Sequence, residues 1–230
     1  MSMAGIVQIE QTPSAGLTRH VKAAFEAARL GESWIDPAVL EIDGMSGRKY
    51  RQFINNLIRG LPDPRYLEIG SWKGSTLCAA INRNRVHALA IDNWSQFDGP
   101  RVEFHANLAR FVTPQVAVAV VESDFRQVAF AGLGRFNVYL FDGPHEYQDQ
   151  FDAIRLARPA LDPEFVLIVD DWNWQAVREG TLRALAACGM DVTFSLEIRT
   201  SLDGSHGEPW GQHGDWHNGY FIAVVTAPPP

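Results

Sequence analysis

The chain has 230 residues, 46% of them apolar, with 20 basic and 27 acidic side chains and a net charge of −7. That length suits a single α/β domain with a buried core, and the acidity excludes a nucleic-acid partner held through many phosphates. No apolar run approaches the ~18 residues of a membrane span, and the opening MSMAGIVQIEQTPSAG lacks both the charged start and the apolar core of a signal peptide. A cytoplasmic protein with no membrane partner is expected. Cys78 and Cys188 fall in helix-like segments and supply neither a disulfide framework nor a thiolate zinc site.

Residues 1–16 read as a loose arm. From Leu17 to about Leu30, and again from Lys49 to Leu61, apolar residues recur at helical spacing, with a loop at Gly44, Ser46 and Gly47 between them. These segments make residues 1–62 an arm and helical cap, free to pack over a pocket or against a second subunit in a homo-oligomer. Residues 63–227 form the main unit. Its strand candidates are Tyr66–Ile69, Val86–Ile91, Val116–Val121, Val138–Phe141 and Val166–Val169. The intervening stretches Gly74–Asn84, Glu103–Phe111, Phe125–Leu133 and Glu146–Leu161 read as helices or short turns, and Trp174–Cys188 adds another helix. Strands alternating with helices imply parallel βαβ units covered on both faces. The last strands, Thr193–Ile198 and Tyr220–Val225, have no helix between them and should pair antiparallel. The expected fold is α/β: a doubly wound, mostly parallel, Rossmann-like sheet of seven strands with an antiparallel C-terminal hairpin and an N-terminal helical cap.

In such sheets ligands sit beyond the carboxyl ends of the strands, so the residues following each strand carry the information. The first strand ends in Glu68-Ile69-Gly70-Ser71-Trp72-Lys73-Gly74-Ser75-Thr76. Its glycines permit a tight turn and close backbone approach. The turn lacks the middle glycine of G-x-G-x-x-G, and Lys73 precedes its glycine, unlike the lysine of a P-loop. A leading Glu68 suits a cationic or amino-bearing ligand better than a pyrophosphate; a plain strand–helix turn is the bland alternative. After the second strand, Asp92-Asn93-Trp94 places an acid about twenty residues beyond the turn, where it can take ribose hydroxyls or cap a helix. After the third, Ser123-Asp124-Phe125 offers either an acceptor for an exocyclic amine with a flanking ring, or a cap.

The fourth and fifth strands end in Asp142-Gly143-Pro144-His145 and Asp170-Asp171-Trp172-Asn173. Three carboxylates gathered at neighbouring strand ends would repel one another unless a hard divalent cation relieved them. Oxygen ligands without a thiolate favour Mg²⁺. Asp171 as a helix cap and Asp170 paired with Arg178 are the plainer readings.

Glu68-x-Gly70-x-x-x-Gly74, Asp92 and Ser123-Asp124 resemble, in order and spacing, the S-adenosylmethionine site of class I methyltransferases, over about residues 65–225. The Asp142, Asp170, Asp171 and His145 constellation resembles the metal-dependent small-molecule O-methyltransferases, of the macrocin type and more distantly the catechol type. The resemblance implies S-adenosyl-L-methionine held by Glu68, Gly70, Ser71, Trp72, Gly74, Ser75, Asp92, Asn93, Trp94, Ser123, Asp124, Phe125 and Asp142. In that arrangement the Gly70–Gly74 turn wraps the methionine part, Asp92 takes the ribose and Asp124 faces the adenine amine. It further implies Mg²⁺ on Asp142, Asp170 and Asp171, with Asp142 and His145 catalytic and His145 as general base. Catechol-type enzymes carry Asn where this chain has Asp171, which leans toward the sugar-modifying type.

A small-molecule acceptor with two neighbouring oxygens, a sugar or a catechol-like ring, would chelate the cation and aim one oxygen at the methyl group. Ser46 and Lys49, just ahead of the main unit, read equally well as residues within reach of the cofactor or as part of a plain loop. The glycine-rich stretch Thr200–Gly219, with His206, His213, His217, Trp210 and Trp216, reads as an aromatic lid; its histidine spacing fits no standard zinc site. Trp72, Trp94, Trp172 and Trp174, at strand ends, with Trp210 and Trp216, read as one pocket's wall. The rival readings are a non-catalytic S-adenosylmethionine-binding module, a cephalosporin-hydroxylase-like relative, and an NAD-dependent oxidoreductase disfavoured by the missing glycine.

Overall fold

The computed structural model describes residues 5–10 and 16–228. Eight strands, β1 (Gly5–Glu10), β2 (Arg65–Ile69), β3 (Val86–Asp92), β4 (Val116–Glu122), β5 (Phe136–Phe141), β6 (Leu161–Asp170), β7 (Asp191–Arg199) and β8 (Tyr220–Thr226), form one sheet in the order β1-β7-β8-β6-β5-β2-β3-β4. Strands β2 to β6 run parallel, whereas β8 is antiparallel to both β6 and β7. The C-terminal hairpin is therefore as expected.

The sheet has eight strands rather than seven. Gly5–Glu10 is no loose arm but an edge strand pairing antiparallel with β7, Gly5 against Arg199 and Glu10 against Phe194. Its apolar residues Ile6, Val7 and Ile9 are exposed, so the sequence holds no alternation toward a core that would mark a half-buried strand.

Helices α1 (Leu17–Arg29), α2 (Pro37–Leu40), α3 (Arg48–Gly60), α4 (Ser75–Ile81) and α5 (Arg101–Phe111) belong to one face, and α6 (Tyr147–Ala157) and α7 (Gln175–Ala187) to the other. The N-terminal helices do not cap the pocket as a separate piece. Val21, Phe25, Phe53, Ile54 and Leu57 join Tyr66, Leu140, Ile168 and Ile222 in a single core, so α1 and α3 extend the helical layer that covers the sheet. Alternation along β2 assigns the opposite sides: Tyr66 faces this core, while Leu67 and Ile69 face the α6–α7 core.

Chain order runs outward from β2 to β3 and β4, then returns to β5 on the other flank of β2. The carboxyl ends of β2 and β5 therefore flank the topological switch point, where an open α/β sheet leaves a crevice. Ile69 and Phe141 lie opposite each other there. The chain leaving β5 is tied back by the Asp142 N–H donating to the Ile69 carbonyl at 2.8 Å.

Candidate functional site

A cavity of about 510 Å³ opens at this switch point, within the usual size range of small-molecule sites. Its walls come from the turns after β2, β3, β4, β5 and β6, from Met45 and Ser46 ahead of α3, and from the segment before β8. Of the residues singled out from the sequence, Gly70, Ser71, Trp72, Ser75, Asp92, Asn93, Trp94, Ser123, Asp124, Phe125, Asp142, His145, Asp170 and Asp171 all line it. Glu68 and Gly74 do not.

The β2 turn explains both exceptions. Glu68 is fully buried beneath it: Tyr66 Oη and Ser71 Oγ each donate to its carboxylate at 2.6 Å. Burial pushes its carboxyl up to about 7 against those hydrogen bonds. Glu68 thus shapes the turn from below rather than meeting a ligand. Gly74 lies at the start of α4 with φ +78°, and an added Cβ would meet the Phe104 ring at 3.0 Å. Gly70 is stricter: at φ +86° its Cβ would fall 1.8 Å from the Asp142 carbonyl oxygen, so only glycine lets the two turns cross.

Asp92 is largely engaged by the backbone. Its Oδ2 accepts from the N–H groups of Ser71 and Trp72 at 2.7 and 2.9 Å, and its Oδ1 from Trp94 N–H at 2.7 Å. A carboxylate offers roughly four lone-pair directions, so one is left for a hydroxyl in the cavity. Asp124 caps the short turn Phe125–Gln127, accepting from the Arg126 N–H at 2.9 Å. Phe125 is buried edge-on against Phe141, with the Arg126 guanidinium 4.4 Å from its ring centre. Trp94 packs on Phe104 and donates its indole N–H to the Trp72 carbonyl at 2.9 Å.

The acidic end of the cavity has a definite order. Donor atoms of Asp142, His145 and Asp171 all lie within 4.8 Å of one another. His145 Nε2 is 2.6 Å from Asp171 Oδ2, and Asn218 Nδ2 donates to Asp171 Oδ1 at 2.6 Å. Asp170 Oδ1 accepts from the Asp171 N–H at 2.8 Å, while its carboxyl lies against that of Asp142 on the cavity wall. Burial, followed by the charge of Asp170 on Asp142 and of Asp171 on Asp170, holds both Asp142 and Asp170 well above the usual carboxylate range. Burial would raise Asp171 too, but the hydrogen bond and charge of His145, with the Asn218 amide, outweigh it and hold it low. Neither plainer reading of these acids is realised. Arg178 donates to the carbonyls of Trp172 and Asn173, and the Asp171 side chain points to His145 rather than capping α7.

The segment 200–219 is fastened at several points. The Asn173 side-chain oxygen accepts from the N–H groups of Thr200 and Ser201, and its amide donates to Thr200 Oγ1 and the Ser205 carbonyl. The backbone N–H groups of Arg48 and Lys49 donate to the carbonyls of Gly214 and Asp215. His206, Trp210, His217 and Asn218 from this segment line the cavity, as does Trp174. Edge-on contacts link His145 to Trp174, Trp174 to His206, His206 to Trp210 and Trp210 to His217, with ring centres 4.7–5.5 Å apart. Burial pushes the His217 imidazole down to about 4, keeping it neutral at physiological pH.

Several expectations need correction. Trp216 is buried against Phe25, with ring centres 5.5 Å apart, and Trp172 is stacked on Phe221 at 4.4 Å with its indole N–H on Glu197. Both belong to the cores, not to the pocket wall. His213 is exposed outside the cavity. Lys49 turns to Asp215 at 2.9 Å instead of reaching the cavity, whereas Ser46 does reach it. Sequence reasoning missed Asn218, Phe97, Gln96 and Arg126 as lining residues. Asn218 stands two residues ahead of β8, whose first residue, Tyr220, pairs with Asp170, and that polar residue beside a strand start was the available signal.

Residues 67–172 match the family model of a methyltransferase domain. No curated protein matches the chain significantly. Among solved structures, the chain is similar to cofactor-bound Rv0187 from MTB, with 18% identity, TM-score 0.54 and 94% of this chain covering 92% of that one. It is also similar to an O-methyltransferase from Bacillus cereus in complex with SAH, with 16% identity, TM-score 0.52 and coverage of 93% and 92%. A third is the O-methyltransferase TomG from Streptomyces achromogenes, involved in tomaymycin synthesis and complexed with SAM, with 16% identity, TM-score 0.52 and 90% coverage of both chains. At such identities the likeness is one of fold: the chain shares the Rossmann-like α/β fold of these proteins, two of them O-methyltransferases, over nearly its whole length. Among the described residues no helix is long and apolar enough to cross a membrane.

Proposed function

We propose that the protein is an S-adenosylmethionine-dependent methyltransferase that methylates an oxygen of a small molecule carrying neighbouring hydroxyls, a sugar or a catechol-like ring, with help from a divalent cation. The observation that carries this reading is the single cavity at the switch point, which joins the Gly70–Ser75 turn and Asp92 to the Asp142, His145 and Asp171 cluster.

The residues present suit both groups. One free lone-pair direction on Asp92 is available to ribose, and Phe125 and Trp72 present ring surface along the same wall. Asp142 and Asp171 offer carboxylate oxygens within 4.8 Å of one another, with Asp170 beside them as a further carboxylate. Enclosed carboxylates without a full complement of cationic partners suit a divalent ion of the Mg²⁺ or Mn²⁺ kind. When bound, such an ion supplies Lewis-acid lowering of the acceptor hydroxyl's pKa.

The chain's own residues do the rest. Asp171, held low by its partners, orients His145 by accepting at 2.6 Å. With Nε2 donating to Asp171, the other ring nitrogen of His145, Nδ1, is the one left to take the proton of an acceptor hydroxyl in the cavity that His145 lines. Trp174, Trp210 and His206 form an aromatic wall beside it, against which a flat or ring-shaped acceptor would lie while water is excluded. No nucleic-acid or membrane partner is part of this reading, and the cytoplasm is the compartment proposed.

A panel of catechols and glycosides, assayed for S-adenosylhomocysteine release with and without EDTA, tests the proposal. Cation-dependent turnover of a vicinal diol or catechol supports it. Binding of NAD in place of S-adenosylmethionine would sink it.

A further inference from the structure

Arg51 of α3 is completely buried, yet among the described residues it forms no ion pair. Asp43, whose charge acts on it, is paired with Lys73 at 2.6 Å. Its Nη1 donates to the carbonyls of Val39, Leu40 and Ile42, and its Nε donates to Ser46 Oγ at 3.0 Å. The remaining nitrogen, Nη2, has no partner among the described residues. Burial lowers the guanidinium only to about 10, so the charge persists at neutral pH. A buried, unpaired cation is costly unless an anion completes it.

The direction of that charge is set by Ser46 and Ser75. Their hydroxyls are 3.1 Å apart, and both residues line the cavity. Ser46 Oγ accepts from Arg51, and one proton of the pair joins the two hydroxyls. Whichever hydroxyl donates, the other proton is left for an acceptor in the cavity. Arg51 Nη2 and Ser75 Oγ also converge on Gly44, where an added Cβ would stand 2.8 Å and 2.3 Å from them. Glycine there keeps guanidinium and hydroxyl pair in communication.

We infer that Arg51 is a positioning residue that polarises the Ser46–Ser75 hydroxyl pair toward a carboxylate, so that this end of the cavity receives the amino-acid carboxylate of the cofactor. The inference rests on the methyltransferase reading. A neutral nucleoside thioether filling the rest of the cavity would gain nothing from Arg51.

The test compares S-adenosylhomocysteine with 5′-methylthioadenosine, which lacks the carboxylate, by calorimetric titration of the wild type, Arg51→Met and Ser46→Ala. Each substitution should weaken S-adenosylhomocysteine by about tenfold or more, the worth of a charge-assisted hydrogen bond, and leave 5′-methylthioadenosine within about twofold. Equal weakening of both ligands, or of neither, overturns the role of Arg51 while the cofactor site stands. A wild type that binds neither ligand overturns the methyltransferase reading and this inference with it. Should Arg51→Met fail to fold, Ser46→Ala decides alone, since it removes the hydroxyl and keeps the buried guanidinium.

Discussion

Asp171 accepts from His145 across 2.6 Å, although His145 follows β5 and Asp171 follows β6. A φ of +57° at Asp171 turns its side chain out of the strand direction and toward the imidazole, a backbone cost that a surrounding network must sustain. Asn218 is that network's third member. Replacing Asp171 with Asn leaves the volume but removes the charged acceptor. We expect methyl transfer to fall by ~10² or more, in the range of lost acid–base assistance, with S-adenosylhomocysteine affinity unchanged. Single-turnover kinetics beside calorimetry check it, and equal losses in rate and affinity would refute an orienting role.

The cation can be removed directly. Dialysis against a chelator should abolish turnover, and either Mg²⁺ or Mn²⁺ should restore it, because both take carboxylate oxygen ligands. Asp142→Ala should prevent restoration by either metal. Mn²⁺ binding followed by electron paramagnetic resonance gives a readout independent of turnover. Full activity of Asp142→Ala in chelator-treated protein would exclude metal assistance.

The parallel sheet and the strand ends were readable because apolar runs of five or six residues break abruptly into Gly, Asp and Trp. What each end residue does was less readable. Asp92 and Asp124 serve partly as backbone acceptors, and nothing in a carboxylate's spacing tells a ligand contact from a cap. Trp172 and Trp216 also follow polar neighbours, yet both turn inward because Phe221 and Phe25 lie opposite them. Such partners are distant in sequence. Strand β1 was invisible for another reason: an edge strand with exposed Ile6, Val7 and Ile9 has no buried face to impose a pattern.

Trp210 is 42% exposed but stands between His206 and His217 on the cavity wall. Its removal should leave stability within about 0.5 kcal/mol, as for most surface changes. For the acceptor, Trp210→Ala should raise KM by roughly tenfold through lost ring contact and leave the KM for S-adenosylmethionine unaltered. A fall in kcat alone, with KM for both substrates preserved, would assign Trp210 to closure instead.

Glu68 links the site to the pH dependence of folding. Its carboxyl is raised by burial from 4.5 to about 7. Below pH 4.5 the group is protonated in folded and unfolded chains alike. As pH rises from there, the unfolded chain releases the proton first, so its contribution to stability declines and is lost once pH passes about 7. The full change is on the order of 3 kcal/mol. Glu68→Gln keeps an acceptor oxygen among Tyr66 and Ser71 without a charge to bury. Relative to the wild type, the variant should therefore gain stability steadily between pH 4.5 and pH 7 and stay level above it. Asp142, also raised, feels the Glu68 charge, so the difference reports Glu68 together with its coupling to Asp142. Urea unfolding of the pair across that range checks it, and parallel curves for the two proteins would show that Glu68 is already ionised and paid for by its hydrogen bonds.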